Sequence, residues 1–584
     1  MSIAPYLAAA IQFEPLMFAK EANLRQLLIL IEQAAQKGAR LITTPEMATT
    51  GYCWFDRQEI APMVETVPGE STALFAELAQ RYQCYIVLGM PEIDPNTSLY
   101  YNSAVLIGPE GVIGCHRKTH PYISEPKWAA AGDLGHHVFD TPLGRIGMLV
   151  CMDIHFPETA RLLALEGVDV ICHISNWLAE RTPAPYWISR AMENGCYLLE
   201  SNRWGLERGV QFSGGSCIIE PDGNIAAVVD NGDGIAYAEI DINRSRQRQV
   251  LGEPVFYQRR PDYYHLLLSD SFLWNPQDFF GLYGHEPLPP GKQSRITVVQ
   301  LSPGEQVEDN LAAIIAVTKE AVLEQGSELI VFPELALTGH YDNAAHAQTL
   351  ESPAVQTLAR LAIQLRVYLV VGMAENQHDK NYIAQMLFGP EGIIGSYRQI
   401  HLSQESQKWA SAGEHWRVFD TALGRIGLLS GHDALFPESA RILALMGCDI
   451  IACSASLSAG FTAAHAGSSV TQNFPIPTGA DPLHWHLFRT RAGENNLYLV
   501  FANALDGIKG KGGFSGIFGP ETFTFPRQER LLWQETLVAT QIVDTRSLAD
   551  SPYPTNVVRR KDLVAMRQPH HYKPLLKYGL TPRQ

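Results

Sequence analysis

The spacing of apolar and polar residues near the start of the chain predicts helices and strands in alternation. At 22–38, ANLRQLLILIEQAAQKG, apolar residues recur at helical spacing and a glycine ends the run. The short apolar run RLITTPE at 40–46 predicts a buried strand. A second helical pattern follows at 71–83, and a strand, CYIVLGM, follows at 84–90. This alternation is typical of an α/β domain.

Further along, the pattern predicts two hairpins and a corner between a strand and a helix. NSAVLIGPEGVIG at 102–114 turns at PEG, and SCIIEPDGNIAAVV at 216–229 turns at PDG. Between them, the buried strand RIGMLV leads into Cys151. FPETARLLALEG at 156–167 then predicts a helix with Pro and Glu in its first turn. These elements predict a layered domain in which helices pack on mixed sheets.

The same series of motifs occurs twice, in the same order. LGRIGMLVCMDIHFPE at 143–158 returns as LGRIGLLSGHDALFPE at 423–438, and LIGPEGVIGCHRKTH at 106–120 returns as LFGPEGIIGSYRQIH at 387–401. The period is far longer than the ~20–50 residues of solenoid repeats, so the sequence indicates a duplication of a whole domain.

The duplication sets the domain boundaries. The first domain spans 1–268, a linker rich in Pro, Gly and aromatic residues spans 269–294, and the second domain spans 295–584. The second domain carries an insertion at 458–482 whose small, polar and proline residues predict a long loop.

Composition narrows the class of protein. The 584 residues carry a net charge of −16 without a long acidic run, which disfavours nucleic acid and anionic membranes as partners. The start, MSIAPYLAAAIQFEP, lacks a basic region and reads as a first strand rather than a signal peptide. No apolar run approaches the ~20 residues of a membrane span. Nine cysteines without a CxxC pair suggest a reducing compartment, so we expect a cytoplasmic protein.

Three residues at predicted strand ends have side chains suited to covalent catalysis. Cys151 lies just before a helix, whose N-terminus favours a thiolate, although most lone cysteines are buried and inert. Glu46 ends the strand RLITTPE, where apolar surroundings would raise its pKa toward that of a base; a solvated turn glutamate is the alternative. Lys118 follows the first hairpin, where its ammonium can hold an oxyanion or simply face water.

Taken together, these residues and their neighbours resemble the nitrilase superfamily, the carbon–nitrogen hydrolases. The matching motifs are TPEMATTGY around Glu46, CHRKTH around Lys118 and VCMDIHFPE around Cys151. The resemblance covers essentially the whole chain, twice. It implies two tandem α-β-β-α sandwich domains that form a pseudo-dimer within the chain, and a Glu-Lys-Cys triad. Many family members have a second glutamate, which Glu125 in ISEPKWAAAG matches; a solvated loop carboxylate is the alternative.

The resemblance also implies how the triad acts. Glu46 takes the proton of Cys151, whose thiolate attacks a carbonyl carbon, and the oxyanion meets Lys118 and the backbone N–H of Met152. Ammonia or an amine leaves with a proton supplied through Glu46, and Glu125 helps to position it. Water activated by Glu46 then hydrolyses the thioester. The resemblance implies no metal and no organic cofactor.

The second copy lacks this chemistry. The counterparts of Glu46, Lys118, Cys151 and Glu125 are, in that order, Glu334, Gln399, Gly431 and Ser406. Glycine has no nucleophile and glutamine carries no charge, so we predict a catalytically inactive domain that is kept for its shape. A regulatory ligand site in the inactive pocket, with Glu334 and His432, is the competing role.

Several other residues of the first domain are candidates for binding substrate: Trp54, Trp128, Met152, His155, Trp177, Arg203 and Trp204. The aromatic residues suit a pocket and a core equally well. Arg203, whose counterpart is Ala504, is the preferred anchor for a substrate anion. His120 and His155 are expected beside the triad, as pocket groups or as structural histidines.

The residues after the nucleophile favour the amidase and carbamoylase branches of the superfamily. Carbamoylases that act on amino acids often place arginine just after the cysteine to bind a carboxylate. Here Ile154 and His155 occupy those places, which disfavours that substrate. We therefore predict hydrolysis of a small linear amide; a nitrile or an N-carbamoyl substrate is the alternative. A non-catalytic binding or scaffold protein is the alternative of another class. The expected partner is the small-molecule substrate, and a further homo-oligomer stays open.

Overall fold

The structure is a computed structural model. It describes residues 3–178, 182–229, 231–269, 288–340, 344–458, 482–505, 512–524, 527–533, 537–547 and 555–579. The predicted linker and the predicted loop at 458–482 lie, apart from their ends, outside the described residues. The described chain forms two compact units. The first contains the residues up to Phe256 together with those from His570, and the second runs from Tyr257 to Pro569.

The first unit contains strands of three to nine residues joined by helices and turns. The strands are β1 (Tyr6–Gln12), β2 (Ala39–Thr43), β3 (Tyr85–Ile93), β4 (Tyr100–Gly108), β5 (Gly111–Arg117), β6 (Val138–Thr141), β7 (Gly144–Val150), β8 (Val170–Ser175), β9 (Tyr197–Asn202), β10 (Trp204–Glu207), β11 (Val210–Ser213), β12 (Cys217–Ile219), β13 (Ile225–Val228) and β14 (Gly234–Ile240). The helices are α1 (Lys20–Gln36), α2 (Arg57–Ile60), α3 (Glu70–Tyr82), α4 (Pro157–Leu165), α5 (Pro185–Asn194) and α6 (Ile242–Ser245), and α7 (Val255–Gln258) follows at the boundary of the unit.

Most of these strands belong to two mixed sheets. The first has the order β14-β1-β2-β3-β4-β5 and the second β13-β12-β9-β8-β7-β6, while β10 and β11 form a separate hairpin. The neighbours β1–β2, β2–β3, β7–β8 and β8–β9 run parallel, and the outer pairs run antiparallel. The predicted hairpins at 102–114 and 216–229 are β4–β5 and β12–β13, so both predictions are confirmed.

Helices cover the outer faces of the two sheets. Leu27 and Ile31 are fully buried on one face of α1, in an apolar cluster with the first sheet and α3. Leu163 of α4 is buried in a second cluster with β7 and β8. Burial of such a side chain contributes ~1.5–3 kcal/mol. The two sheets face each other, and the hydroxyls of Thr43 and Ser201 hydrogen-bond between them at 2.6 Å. The predicted α-β-β-α layering is confirmed.

The second unit repeats this arrangement. Its strands are β15 (Gln293–Val299), β16 (Leu329–Val331), β17 (Tyr368–Gln377), β18 (Lys380–Gly389), β19 (Gly392–Arg398), β20 (Val418–Thr421), β21 (Gly424–Ser430), β22 (Ile450–Ala455), β23 (Tyr498–Asn503), β24 (Gly516–Phe518), β25 (Glu529–Leu531) and β26 (Val538–Asp544). Its helices are α8 (Val307–Gln325), α9 (Pro353–Leu365), α10 (Pro437–Leu445), α11 (Leu483–Glu494), α12 (Val557–Arg560) and α13 (Asp562–Ala565). The sheet orders are β19-β18-β17-β16-β15-β26 and β20-β21-β22-β23-β24-β25. Across the described ranges, none of the helices is both long and apolar enough to span a membrane.

Candidate active site

The three residues singled out at strand ends lie beyond β2, β5 and β7, and all are buried. Glu46 and Lys118 are 0% and 1% exposed, and Cys151 is 7% exposed. The turn that carries Glu46 lies against Gly89 of β3, where a Cβ would come within 2.1 Å of the Pro45 carbonyl oxygen. Any larger residue at position 89 would push this turn away, so the glycine allows Glu46 to enter the site.

Lys118 is held between two carboxylates. Its Nζ lies 2.8 Å from Oε1 of Glu46 and 2.6 Å from Oε2 of Glu125. Asn102 of β4 ties the same carboxylates together, because its Nδ2 donates to Oε1 of Glu46 at 2.7 Å and to Oε1 of Glu125 at 2.6 Å. The backbone N–H of Tyr122 also donates to Glu125, at 2.5 Å. The structure thus brings Glu46, Lys118 and Glu125 together.

Cys151 lies at a strained corner of the backbone. It follows β7 directly and begins a short 3₁₀ turn, Cys151–His155, with φ of +44°. A left-handed conformation costs a residue other than glycine roughly 1–2 kcal/mol. Backbone strain of this kind persists where surrounding contacts hold it in place, and it is common at active sites.

The charges around Cys151 act on its thiol in opposite directions. Burial raises the pKa of the Cys151 thiol well above its usual value, and Glu46 raises it further, whereas Lys118 and the backbone N–H of Asn176 lower it. Burial also raises the pKa of the Glu46 carboxyl, against the opposing ammonium of Lys118. The raised pKa makes Glu46 a stronger base than an exposed glutamate, which suits it to accept the proton of Cys151.

The ammonium stays charged in this setting. Burial alone would lower the pKa of Lys118, but the carboxylates of Glu125 and Glu46 hold that pKa well above its usual value. Lys118 is therefore a permanent positive charge beside the thiol, as an oxyanion partner requires.

Asp153 connects the corner at Cys151 to the loop that carries Lys118. Its carboxylate accepts hydrogen bonds from His116 Nε2 at 2.8 Å, from the backbone N–H of Thr119 at 3.1 Å and from that of His120 at 3.0 Å. Burial would raise the pKa of Asp153, but His116 and His120 hold that pKa well below its usual range. His120 is thus engaged with Asp153, and its ring also stacks on Phe156 at 3.7 Å.

The predicted pocket aromatics occupy two clusters. His155 stacks on Trp177 with ring centroids 4.7 Å apart. Trp54 and Trp128 lie in an apolar cluster that includes Tyr52. The Tyr52 ring reaches the triad, since its centroid is 5.7 Å from Lys118 Nζ. Sequence reasoning missed Tyr52, although it lies within the motif TPEMATTGY.

Arg203 has a structural partner. Its Nη1 lies 2.7 Å from Oε2 of Glu207, and both side chains are buried. The other oxygen of Glu207 accepts the backbone N–H groups of Tyr52 and Cys53, at 2.9 and 2.7 Å. The pair therefore supports the turn that carries Tyr52, and the role of Arg203 as an anion anchor stays a prediction. Trp204, half-buried at the start of β10, donates through Nε1 to Asp233 at 2.8 Å.

Sequence reasoning also missed Asn102. The aligned hairpins place Ile383 opposite it in the second copy. The signal that could have identified Asn102 is a polar residue in a buried strand of one copy at a position where the alignment gives an apolar residue in the other copy.

The corresponding place in the second unit has no room for a thiol. A Cβ on Gly431 would lie 2.5 Å from Cβ of Ala455, closer than atoms can pack. Gln399 donates through Nε2 to the backbone oxygen of His401 at 2.6 Å. Burial and the nearby Asp433 raise the pKa of Glu334 to about 8. The second unit therefore keeps the carboxyl group of Glu334, but it has no counterpart of the Lys118 ammonium or of the Cys151 sulfur.

Comparison with known proteins identifies the family of the chain. The family model for carbon-nitrogen hydrolases matches residues 7–249 and again 295–542. A nitrilase of Pyrococcus abyssi is 36% identical over 259 residues, which are 44% of this chain and 98% of that protein. The human omega-amidase NIT2 is 28% identical over 261 residues, covering 42% of this chain and 92% of that protein. A carbon-nitrogen hydrolase structure from Helicobacter pylori G27 aligns with TM-score 0.42 and 26% identity, over 46% of this chain and 99% of that one.

The chain belongs to the carbon–nitrogen hydrolase family, within the nitrilase superfamily, as a tandem duplication. It is an enzyme that acts on carbon–nitrogen bonds other than peptide bonds.

Proposed function

We propose that the first unit hydrolyses a small linear amide through a thioester on Cys151. The observation that supports this most strongly is the position of Lys118, whose ammonium lies between Glu46 and Glu125 and acts on the buried thiol. A buried cation beside a potential nucleophile and a carboxylate with a raised pKa supplies the three parts of acyl transfer.

The first half of the reaction forms the thioester. Glu46 accepts the proton of Cys151, and the sulfur bonds to the amide carbon. The carbonyl oxygen becomes an oxyanion, which Lys118 and the backbone N–H of Met152 stabilise. Glu46 then gives its proton to the amide nitrogen, the C–N bond breaks, and ammonia or an amine leaves. Glu125, fixed by Lys118 and Asn102, orients the amide nitrogen.

The second half of the reaction restores the enzyme. Glu46 takes a proton from water, and the hydroxide attacks the thioester carbon. The C–S bond breaks, the carboxylic acid leaves, and the Cys151 sulfur regains its proton from Glu46. Lys118 keeps its charge throughout, so the cycle needs only one proton shuttle.

The test is a screen for ammonia release over small amides, ureas and nitriles, with Cys151→Ala as the matched variant. We expect turnover with an amide and loss of turnover in the variant by at least about 10⁴-fold.

A nitrile substrate is the second candidate, favoured by the 36% identity to the Pyrococcus abyssi nitrilase. Turnover of nitriles with no turnover of amides would select that candidate.

For the second unit we propose a structural role. The support for it is a complete sandwich with no nucleophile at Gly431 and no cation at Gln399. The competing role, a regulatory ligand at Glu334 and His432, predicts that a small molecule alters activity in the parent chain. That effect should then disappear in Glu334→Ala.

A further inference from the structure

The peptide group that follows the nucleophile is held by a buried histidine. His173 of β8 lies with its Nε2 at 3.1 Å from the backbone oxygen of Cys151. A carbonyl oxygen can only accept a hydrogen bond, so Nε2 carries the hydrogen. His173 is 0% exposed, so this contact lies in the protein interior.

The histidine is in turn fixed by a carboxyl group. Nδ1 of His173 contacts Oε2 of Glu200, and the other oxygen of Glu200 accepts a hydrogen bond from the hydroxyl of Ser175. His173 and Glu200 are direct partners in the register between β8 and β9. Both ring nitrogens therefore have assigned contacts, which leaves the imidazole a single orientation.

The geometry of a peptide bond links this contact to the oxyanion. A trans peptide is planar, so its C=O and its N–H point in opposite directions. A donor that fixes the carbonyl of Cys151 also fixes the direction of the N–H of Met152. Hydrogen bonding to the carbonyl also polarises the amide and strengthens its N–H as a donor.

We propose that His173, oriented by Glu200, is a positioning residue that holds the Cys151–Met152 peptide in its strained conformation and aims the Met152 N–H at the oxyanion. This inference rests on the proposed function of Cys151. His173 does not contact the substrate in this account; it acts through the peptide group.

The second unit shows what accompanies the loss of this contact. The aligned strands place Cys453 at the position of His173 and Phe501 at that of Glu200, and these two are again register partners, on β22 and β23. Gly431, which could adopt a left-handed conformation at little cost, is not left-handed. The strained corner and the His–Glu pair occur together in the first unit and are both lost in the second.

The test compares three variants of the full chain. His173→Leu removes the donor, His173→Gln keeps a donor near the position of Nε2, and Cys172→Ala is the control on the same buried strand. Each is assayed for kcat and KM on the best amide, for alkylation of Cys151 by iodoacetamide, and for inhibition by the aldehyde analogue of the substrate. The aldehyde forms a hemithioacetal that needs the oxyanion donors, whereas alkylation does not.

We expect kcat of His173→Leu to fall about 100-fold, with KM within about threefold and the alkylation rate retained. Its affinity for the aldehyde should fall in parallel with kcat, and His173→Gln should recover most of both. Cys172→Ala should behave like the parent.

An unchanged kcat in His173→Leu would overturn the inference, and so would equal losses of alkylation and turnover. If His173→Leu does not fold, Glu200→Gln decides the matter through the ratio of aldehyde affinity to alkylation rate. A ratio equal to that of the parent overturns it. Turnover by Cys151→Ala at the parent rate would instead overturn the proposed function.

Discussion

The two units share a fold but differ at the positions of the triad and of Glu125. The first unit places an ammonium, two carboxylates and a thiol within its sandwich, whereas the second has a glutamine, one carboxyl and a glycine at the matching positions. Around both sites, the aspartate after the nucleophile position is retained and bound by a histidine, His120 to Asp153 and His401 to Asp433. The aspartate therefore stabilises the fold in both copies, whereas the triad occurs in the first copy alone and is the part that we assign to the proposed reaction.

The comparison also shows that the left-handed conformation at the nucleophile position is not determined by the residue type there. Cys151 is left-handed although its side chain disfavours that conformation, and Gly431 is not, although it could be. The conformation is thus imposed by contacts in the first unit rather than chosen by the residue. Unfavourable backbone geometry of this kind remains where function depends on it.

Among the tests that follow, the largest effect is expected from replacing the cation of the first site by glutamine, the residue of the second site. Lys118→Gln leaves Glu46 and Glu125 together in a buried site without the ammonium that compensates them. We expect kcat/KM to fall by about 10³-fold or more, as for the loss of an oxyanion partner. Steady-state kinetics on the best amide measures this, with the exposed Lys127→Gln as control. Retention of a tenth of parental activity would contradict the role of Lys118.

A smaller effect is expected on stability at Glu334. Its pKa is about 8 in the folded chain against 4.5 for an exposed glutamate. The folded chain thus binds a proton that the unfolded chain releases, so the stability contributed by the neutral carboxyl is complete below about pH 4.5 and is lost as the pH rises through about 8.

Glu334→Gln should therefore be more stable than the parent at pH 8, on the order of 2–4 kcal/mol, and the difference should vanish near pH 4.5. Denaturant unfolding at several pH values measures it, with the exposed Glu391→Gln as control. A difference that does not depend on pH would show that Glu334 is not buried as a neutral acid.

Next in size is an attempt to rebuild the site in the second unit. Gly431→Cys with Gln399→Lys restores the residue types of the triad, but the new Cβ meets Ala455 at 2.5 Å. Overpacking of this kind costs about 1–3 kcal/mol. In a Cys151→Ala background we expect no recovery of amide turnover and a lower denaturant midpoint. Recovered turnover would show that the second site needs only those two residues.

The smallest effect is expected at Trp204. Trp204 is half-buried at the start of β10, and its indole donates to the exposed Asp233, so Trp204→Phe should leave kcat/KM within about twofold. A tenfold rise in KM for Trp204→Phe would instead support the predicted contact with substrate.

Sequence reasoning reached the layered fold, the duplication and the strand-end positions of Glu46, Lys118 and Cys151, because these depend on local pattern and motif order. It missed Asn102 and the His173–Glu200 pair, whose roles depend on which strands lie side by side. It also could not foresee that Arg203 is paired with Glu207, since these residues lie at the two ends of β10 and their contact depends on the path of the backbone between them. The periodicity of apolar residues does not predict which buried polar groups pair in the folded chain.

The most direct test of the account is the mass of the intact chain during turnover. The chain is mixed with excess amide, quenched in acid within one turnover, and analysed by intact mass and peptide mapping. We predict one acyl group per chain, located on Cys151 and absent from Cys151→Ala, which also releases no ammonia. An acyl group on a cysteine of the second unit, or ammonia release by Cys151→Ala at the parent rate, would contradict the account.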